Sequence, residues 1–165
     1  MKQTKFSLWL VVVAAALCSQ AAFAQFSKPA CQGSEPRQWN ECVGKARSSD
    51  GDYVGEFANG RFGGLGLMQF PNGDSYFGGF KGGVADGFGI HKMANGDLYV
   101  GGFAVNNYDG FGRYVSKASG KIDEGVWKDD KLIRAENLDA NAAYQKQKKL
   151  VERQWADYQR ASREG

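Results

Sequence analysis

Few side chains in this sequence are of a type that could do chemistry. His91 is the sole histidine, and it lies at a position that Met68 and Tyr114 occupy in two similar stretches of the chain. This equivalence predicts a packing residue on a strand face, and not a general base or a metal ligand. Without a second histidine, no Ser/His/Asp or Cys/His arrangement for nucleophilic catalysis can be assembled.

The glycine-rich and acidic residues also fit structural roles. Pairs of the form Gly-x-Gly, such as Gly64 and Gly66, lack the third glycine of a dinucleotide-binding loop and lead into strands. Asp74 and Asp97 follow turn glycines, which is typical of turn chemistry. Glu56 has no acidic counterpart in the next two units. The sequence therefore predicts no catalytic residue, no metal site and no cofactor, and a protein that is not an enzyme.

The aromatic residues recur at a fixed period. Tyr53, Tyr76 and Tyr99 are 23 residues apart, and each begins a Tyr-x-Gly-x-Phe block that is followed by a Gly-x-Gly pair and a turn. A fourth block is incomplete, since Asp123 replaces its tyrosine and Trp127 its phenylalanine. A period of this length is the signature of a repeat array, in which each unit packs only on its neighbours.

The pattern within a unit predicts a β-hairpin. Alternation in the first block places Tyr53 and Phe57 on one face of a strand. Asn59-Gly60 is a hairpin-turn signal, because both central positions of a type I′ turn favour positive φ, and Asp86-Gly87 and Asp109-Gly110 give related signals in the next units. The predicted fold is mainly β, a single-layer elongated antiparallel sheet of about eight strands in stacked hairpins over residues 44–132.

Glycines inside strands need a physical reason, because glycine weakens a strand and gives it nothing to pack. We expect Gly55, Gly64 and Gly66 to provide flat patches over which the rings of Tyr53 and Phe57 lie.

A single layer with apolar residues on both faces cannot bury them all by itself, and a large exposed apolar patch usually marks a binding surface. The side chains that we predict for this surface are the rings of the repeat blocks: Tyr53, Phe57, Tyr76, Phe80, Tyr99, Phe103 and Trp127.

The N-terminus has the pattern of a secretory signal peptide. Lys2 and Lys5 precede an apolar run over residues 8–17, and Ala22-Phe23-Ala24 supplies small residues for cleavage after Ala24. The run is too short to span a bilayer, which needs roughly 20 residues. Residues 1–24 are therefore the predicted signal peptide, and the protein is expected in the periplasm or outside the cell.

The mature chain has a near-balanced charge of +1, from 19 basic and 18 acidic residues, and this excludes a typical nucleic-acid binder. Its two cysteines, Cys31 and Cys42, most simply form one disulfide in an oxidising compartment. Their spacing gives no support to a metal or redox pair. Residues 25–43 are thus predicted to be an N-terminal cap held by the disulfide.

The C-terminal region, residues 133–165, is predicted to form a helix. Residues 136–163 lack glycine and proline and are rich in good helix formers. A narrow stripe recurs at helical spacing, formed by Tyr144, Lys148, Val151, Trp155 and Tyr158. We expect this stripe to dock on the sheet. The alternative is a helix that pairs with a partner chain or lies on an anionic surface through its basic residues, namely Lys146, Lys148, Lys149 and Arg153.

The period and the Tyr-x-Gly-x-Phe and Gly-x-Gly blocks closely resemble the MORN (membrane occupation and recognition nexus) repeat over residues 42–132. The segment from Cys31 through Trp39 to Gly44 resembles the cap that precedes such arrays in secreted bacterial proteins. The resemblance implies a twisted antiparallel sheet of hairpins with a groove along one face. It also implies an interaction or oligomerisation scaffold, with phospholipid binding proposed for some members.

The function predicted from the sequence is a non-catalytic secreted or periplasmic scaffold that binds a protein or a second copy of itself. Phospholipid binding at an anionic membrane surface is the first alternative, and cell-wall or carbohydrate binding through stacked rings is the second. No nucleic-acid partner is expected.

Overall fold

The computed structural model describes residues 28–164. The predicted signal peptide, residues 1–24, lies outside the described residues. Within residues 28–164, the secondary structure consists of a short 3-10 helix, Pro36–Gln38, nine strands and one α-helix: β1 (Cys42–Ser48), β2 (Gly51–Ala58), β3 (Arg61–Gln69), β4 (Ser75–Lys81), β5 (Val84–Lys92), β6 (Leu98–Ala104), β7 (Asn107–Val115), β8 (Ile122–Lys128), β9 (Lys131–Ala135) and α1 (Ala142–Glu164).

The strands form one open sheet in sequence order, and each strand is antiparallel to the next. The predicted fold class, a single-layer sheet of stacked hairpins with a C-terminal helix, is confirmed. The described sheet has one strand more than expected, because the chain returns once more along β8 after Trp127, pairing Trp127 with Leu132.

Each hairpin turn at one end of the strands has two residues with positive φ. The predicted Asn59-Gly60 turn has φ values of 52° and 71°. Asp86-Gly87 and Asp109-Gly110 are not turns but lie within β5 and β7. The turns of those two hairpins are at Gly82-Gly83 and at Val105-Asn106.

Turns at both ends of the strands are hydrogen-bonded to the neighbouring unit, which fixes the stacking of the hairpins. At one end, the Gly83 amide donates to the Phe62 carbonyl over 2.9 Å. At the other end, Asp74 accepts a hydrogen bond from the Ala94 amide and Asp97 accepts one from the Lys117 amide, each over 2.8 Å. The two aspartates therefore have the turn role predicted for them, and in addition they link successive turns.

The N-terminal cap covers the free edge of β1. The disulfide between Cys31 and Cys42 is present as predicted, and the Cys31 amide donates to the Val43 carbonyl over 2.8 Å. The Trp39 ring packs edge-on against Phe57 with 4.8 Å between ring centroids. The cap thus satisfies backbone groups that would otherwise be open to another strand.

Helix α1 docks on one face of the sheet, as expected for its aromatic stripe. Val151 is 3% exposed and packs in a cluster with the side chains of the central strands, namely Leu67, Phe77, Ile90 and Val100. The Tyr144 hydroxyl donates to the Val100 carbonyl over 3.2 Å. We call this side of the sheet the helix face, and the opposite side, which carries Tyr53 and its equivalents, the aromatic face.

The helix begins later than the sequence predicts. Residues 136–141 form an irregular connection in which the Leu138 side chain is fully buried. Asn141 then caps the helix, because its side-chain oxygen accepts a hydrogen bond from the Tyr144 amide over 3.0 Å.

Candidate functional site

The aromatic face is built around tyrosine rings that lie across paired glycines. Gly55 of β2 is opposite Gly66 of β3, and a Cβ added at Gly66 would lie 2.4 to 2.6 Å from atoms of the Tyr53 ring. Tyr76 lies in the same way over Gly78 and Gly89. The expected fit of a large ring on a flat glycine patch is thus found for Gly55 and Gly66.

Gly64 does not share that role. Its φ is +79°, and an added Cβ would meet the carboxylate of Glu56 instead of a ring. Glycine is required at this position by the positive φ, since residues that have a Cβ rarely adopt this backbone conformation.

The glycines under the rings belong to one continuous row of glycines across the sheet. Each is opposite a glycine of the next strand, in the order Gly44, Gly55, Gly66, Gly78, Gly89, Gly101, Gly112 and Gly125. The row begins beneath the Trp39 ring, which a Cβ at Gly44 would approach to 2.5 Å. Because glycine has no side chain, this row of glycines forms a shallow groove over the backbone, and the aromatic side chains occupy that groove.

A β-bulge lies in the second strand of each hairpin, across from the residue between the glycine and the phenylalanine of the block. The pairing of β2 with β3 shifts between Gly55 and Phe57, and the same shift recurs in the next two hairpins. The tyrosine hydroxyl donates to the carbonyl of the residue opposite the bulge, from Tyr53 to Glu56 over 2.8 Å and from Tyr76 to Gly79 over 2.9 Å. The hydroxyl therefore satisfies a carbonyl near the irregularity.

Burial keeps these hydroxyls in their neutral, donating form. It raises the pKa of Tyr53, Tyr76 and Tyr99 well above the usual range, because a phenolate would lose its hydration in the packed row. The tyrosines are structural donors and have no acid–base role near neutral pH.

The rings predicted as a binding surface are packing residues. All seven are 7% exposed or less: Tyr53, Phe57, Tyr76, Phe80, Tyr99, Phe103 and Trp127. Each ring is covered by neighbours from its own and the next unit, as Tyr53 is by Phe57 at 5.3 Å and by Phe80 at 5.1 Å between centroids. The row thus buries itself without a second layer, and only its margins remain accessible.

A pocket of about 350 Å³ opens at the margin of this row. Phe80 and Phe103 form part of its wall, and half-buried residues complete it, among them Phe62, Phe70 and His91. No pattern in the sequence predicts Phe62 and Phe70 as site residues. Their place in the pocket depends on the bulges, which the alternation of apolar residues does not reveal.

His91 lines the pocket and lies on a strand face, as predicted, directly opposite Tyr76 of β4 on one side and Tyr99 of β6 on the other. Its Nδ1 is 2.8 Å from the Tyr108 hydroxyl, and its Nε2 is 3.5 Å from a carboxylate oxygen of Asp74. Burial lowers the pKa of His91, while the neighbouring Asp74 carboxylate acts in the opposite direction.

This environment predicts a loss of stability in mild acid. Because folding lowers the pKa of His91, the unfolded chain binds the proton more tightly, and stability falls as the pH drops below about 6.5. We expect the Tm of the wild type to fall more steeply than that of His91→Met between about pH 7.5 and about pH 5.5. Methionine is the residue that the preceding unit has at this position, Met68. Thermal melts of both proteins across this range would contradict the prediction if the two slopes were equal.

Two further features of the described chain bear on function. Within residues 28–164, no cluster of three or more His, Cys, Asp and Glu side chains is placed to hold a metal ion. No helix in this part of the chain combines the length and the apolar character needed to cross a membrane.

The geometry defines a class of protein: a repeat array in which hairpins stack through a self-packed tyrosine–glycine row. The family model of the MORN repeat matches residues 53–75 and 76–98, so the chain is a MORN repeat-containing protein. A third unit that begins at Tyr99 has the same ring, bulge and hydroxyl contact. No curated protein matches the chain. MORN repeats are associated with protein or membrane-lipid interaction, and proteins that carry them are typically non-catalytic binding modules.

Proposed function

We propose that this chain is a non-catalytic, secreted or periplasmic scaffold whose MORN-repeat sheet binds another protein or a second copy of itself. The observation that carries the proposal is the pocket on the aromatic face, because α1 occupies the opposite face and the cap covers the edge of β1.

The pocket has the composition of a site for an apolar anchor residue. Aromatic and aliphatic side chains form most of its wall, with Asp50, His91 and Asn106 as the polar groups among its lining. A volume of about 350 Å³ accommodates a large side chain of a bound protein. Anchors of this kind supply most of the energy in protein interfaces, while polar groups around them fix the orientation.

Phe70 is the residue from which to test the proposal, since it lines the pocket, is half-buried and lies just after β3. A photo-cross-linking phenylalanine at position 70 is expected to give one adduct of defined mass in cells that produce the protein. The same group at Ser119, in an exposed turn away from the pocket lining, is the matched control and should give none.

The adduct then distinguishes the two kinds of partner. An adduct of twice the mass of the chain, together with a dimer in light scattering, indicates self-association, and any other mass is identified by sequencing. For the identified partner, Phe70→Ala should raise the Kd about 30-fold, the effect of losing a typical aromatic anchor of about 2 kcal/mol. Equal adducts from positions 70 and 119, or no adduct from position 70, would contradict the proposal.

A further inference from the structure

The outer side of α1 carries a row of basic side chains that the repeat array does not use. The row consists of Lys146, Lys149, Arg153, Arg160 and Arg163, and all five are exposed. Their separations of three, four and seven residues place them along one side of the helix, because 3.6 residues complete a turn. We call this row the basic ridge.

The acidic side chains of α1 that the structure describes do little to neutralise the basic ridge. Glu152 is paired with Lys148 over 2.7 Å, outside the ridge, and Asp157 is paired with Arg160 over 3.3 Å. Lys146, Lys149 and Arg153 have no ion pair with any side chain that the structure describes. Three adjacent positive charges therefore face solvent without compensation.

The docking of α1 holds this ridge in a fixed orientation. Tyr144 and Val151, which lie on the other side of the helix, are buried on the sheet. Lys146 and Arg163 are 17 residues apart in the helix, so the charges lie along a line of about 26 Å, at 1.5 Å per residue. The charges are thus arranged in advance, and binding through them costs little ordering of the backbone.

We propose that the basic ridge docks the protein on an anionic phospholipid bilayer, at a site outside the MORN repeats. Like charges prevent two copies from pairing through this ridge, whereas a plane of anionic headgroups can contact all of its charges at once. Leu150 lies among them at 40% exposure and adds an apolar side chain that can reach below the headgroups. The pocket lies on the other face of the sheet, so a bound protein and a membrane occupy separate surfaces.

The test uses the purified protein and sedimentation with vesicles of neutral lipid alone or with about 30% phosphatidylglycerol. The expected result is binding to the anionic vesicles only, lost when salt is raised from about 0.1 M to about 0.5 M. Substituting Lys146→Gln, Lys149→Gln and Arg153→Gln together should weaken binding about 100-fold, since each basic residue near an anionic surface contributes roughly a fivefold factor.

The matched control removes three charges of the same sign from the sheet. Lys81, Lys117 and Lys131 are exposed at turns or beside them and form no ion pair among the described residues, and their triple Gln variant should bind nearly as the wild type does. Circular dichroism verifies that both variants keep the helix. If the ridge variant loses helix, Arg153→Gln alone replaces it, and this single substitution is expected to weaken binding about fivefold. Equal losses in ridge and control variants, or binding of the wild type to a polyglutamate peptide but not to vesicles, would overturn the proposal.

Discussion

A valine in place of Gly89 is expected to lower the free energy of unfolding by about 3 kcal/mol. The first added carbon would lie 2.5 Å from Cε2 and 2.7 Å from Cζ of the Tyr76 ring. The ring cannot move aside, because Phe80 and Phe103 pack against it at 5.1 Å and 4.7 Å between centroids. Overpacking of this kind costs about 1–3 kcal/mol, and displacement of Tyr76 also breaks its hydrogen bond, worth about 1 kcal/mol. The Tm should fall by about 10 °C for a chain of this size.

A double-mutant cycle assigns this cost to the ring. In a Tyr76→Ala background the space above Gly89 is free, so the same valine should cost less than about 1 kcal/mol. Additive effects of the two substitutions would show that the valine acts through the strand itself, and an unchanged Tm for Gly89→Val would refute the account of the glycine row.

The repeat pattern predicts the hairpins because each block encodes its own local structure. Tyr53, Gly55 and Phe57 alternate along one face, and Asn59-Gly60 supplies the positive φ values that its turn requires. The pattern fails at Val105, whose φ is 49°. A β-branched residue is disfavoured there, so neither composition nor turn propensity points to a turn at this residue. The hydrogen-bonded stacking of neighbouring turns holds the conformation instead.

The pocket could not be predicted because its position depends on the bulges. Extra residues in β3, where Gly63, Gly64 and Leu65 lie across from Glu56 alone, shift the pairing of β2 with β3 and align Phe57 with Phe62. An alternating pattern read along one strand contains no information about the strand beside it. For the same reason, the predicted binding rings are buried: contacts between units, such as that of Tyr53 with Phe80, remove them from solvent.

The choice of face for the helix has a similar origin. Both faces of the sheet carry apolar residues at regular spacing, and the stripe on α1 has the chemistry to pack on either. The glycine row distinguishes them in the structure, since the tyrosines fill their own face, while Leu67, Phe77 and Ile90 project from the other and require a cover. That difference becomes visible only when the register of the strands is known.

Replacing Val151 by aspartate is therefore expected to release α1 from the helix face. Val151 is 3% exposed among apolar side chains of the sheet, and an unpaired carboxylate there costs several kcal/mol unless the helix moves away. We expect a loss of about 3 kcal/mol in the free energy of unfolding, together with rapid proteolysis within residues 142–164. Hydrogen exchange should show loss of protection in the helix and retained protection in the central strands.

Leu150→Asp is the matched control because it makes the same chemical change at the adjacent position of the same helix. Leu150 is 40% exposed, and an aspartate there lies close in sequence to Lys149 and Arg153 on the basic ridge, so its cost should stay within about 0.5 kcal/mol. Equal destabilisation by the two substitutions would mean that helix propensity, and not docking, accounts for the effect. A selective effect of Val151→Asp, with a folded sheet that associates through its uncovered apolar face, would show that α1 keeps this face from forming contacts of its own.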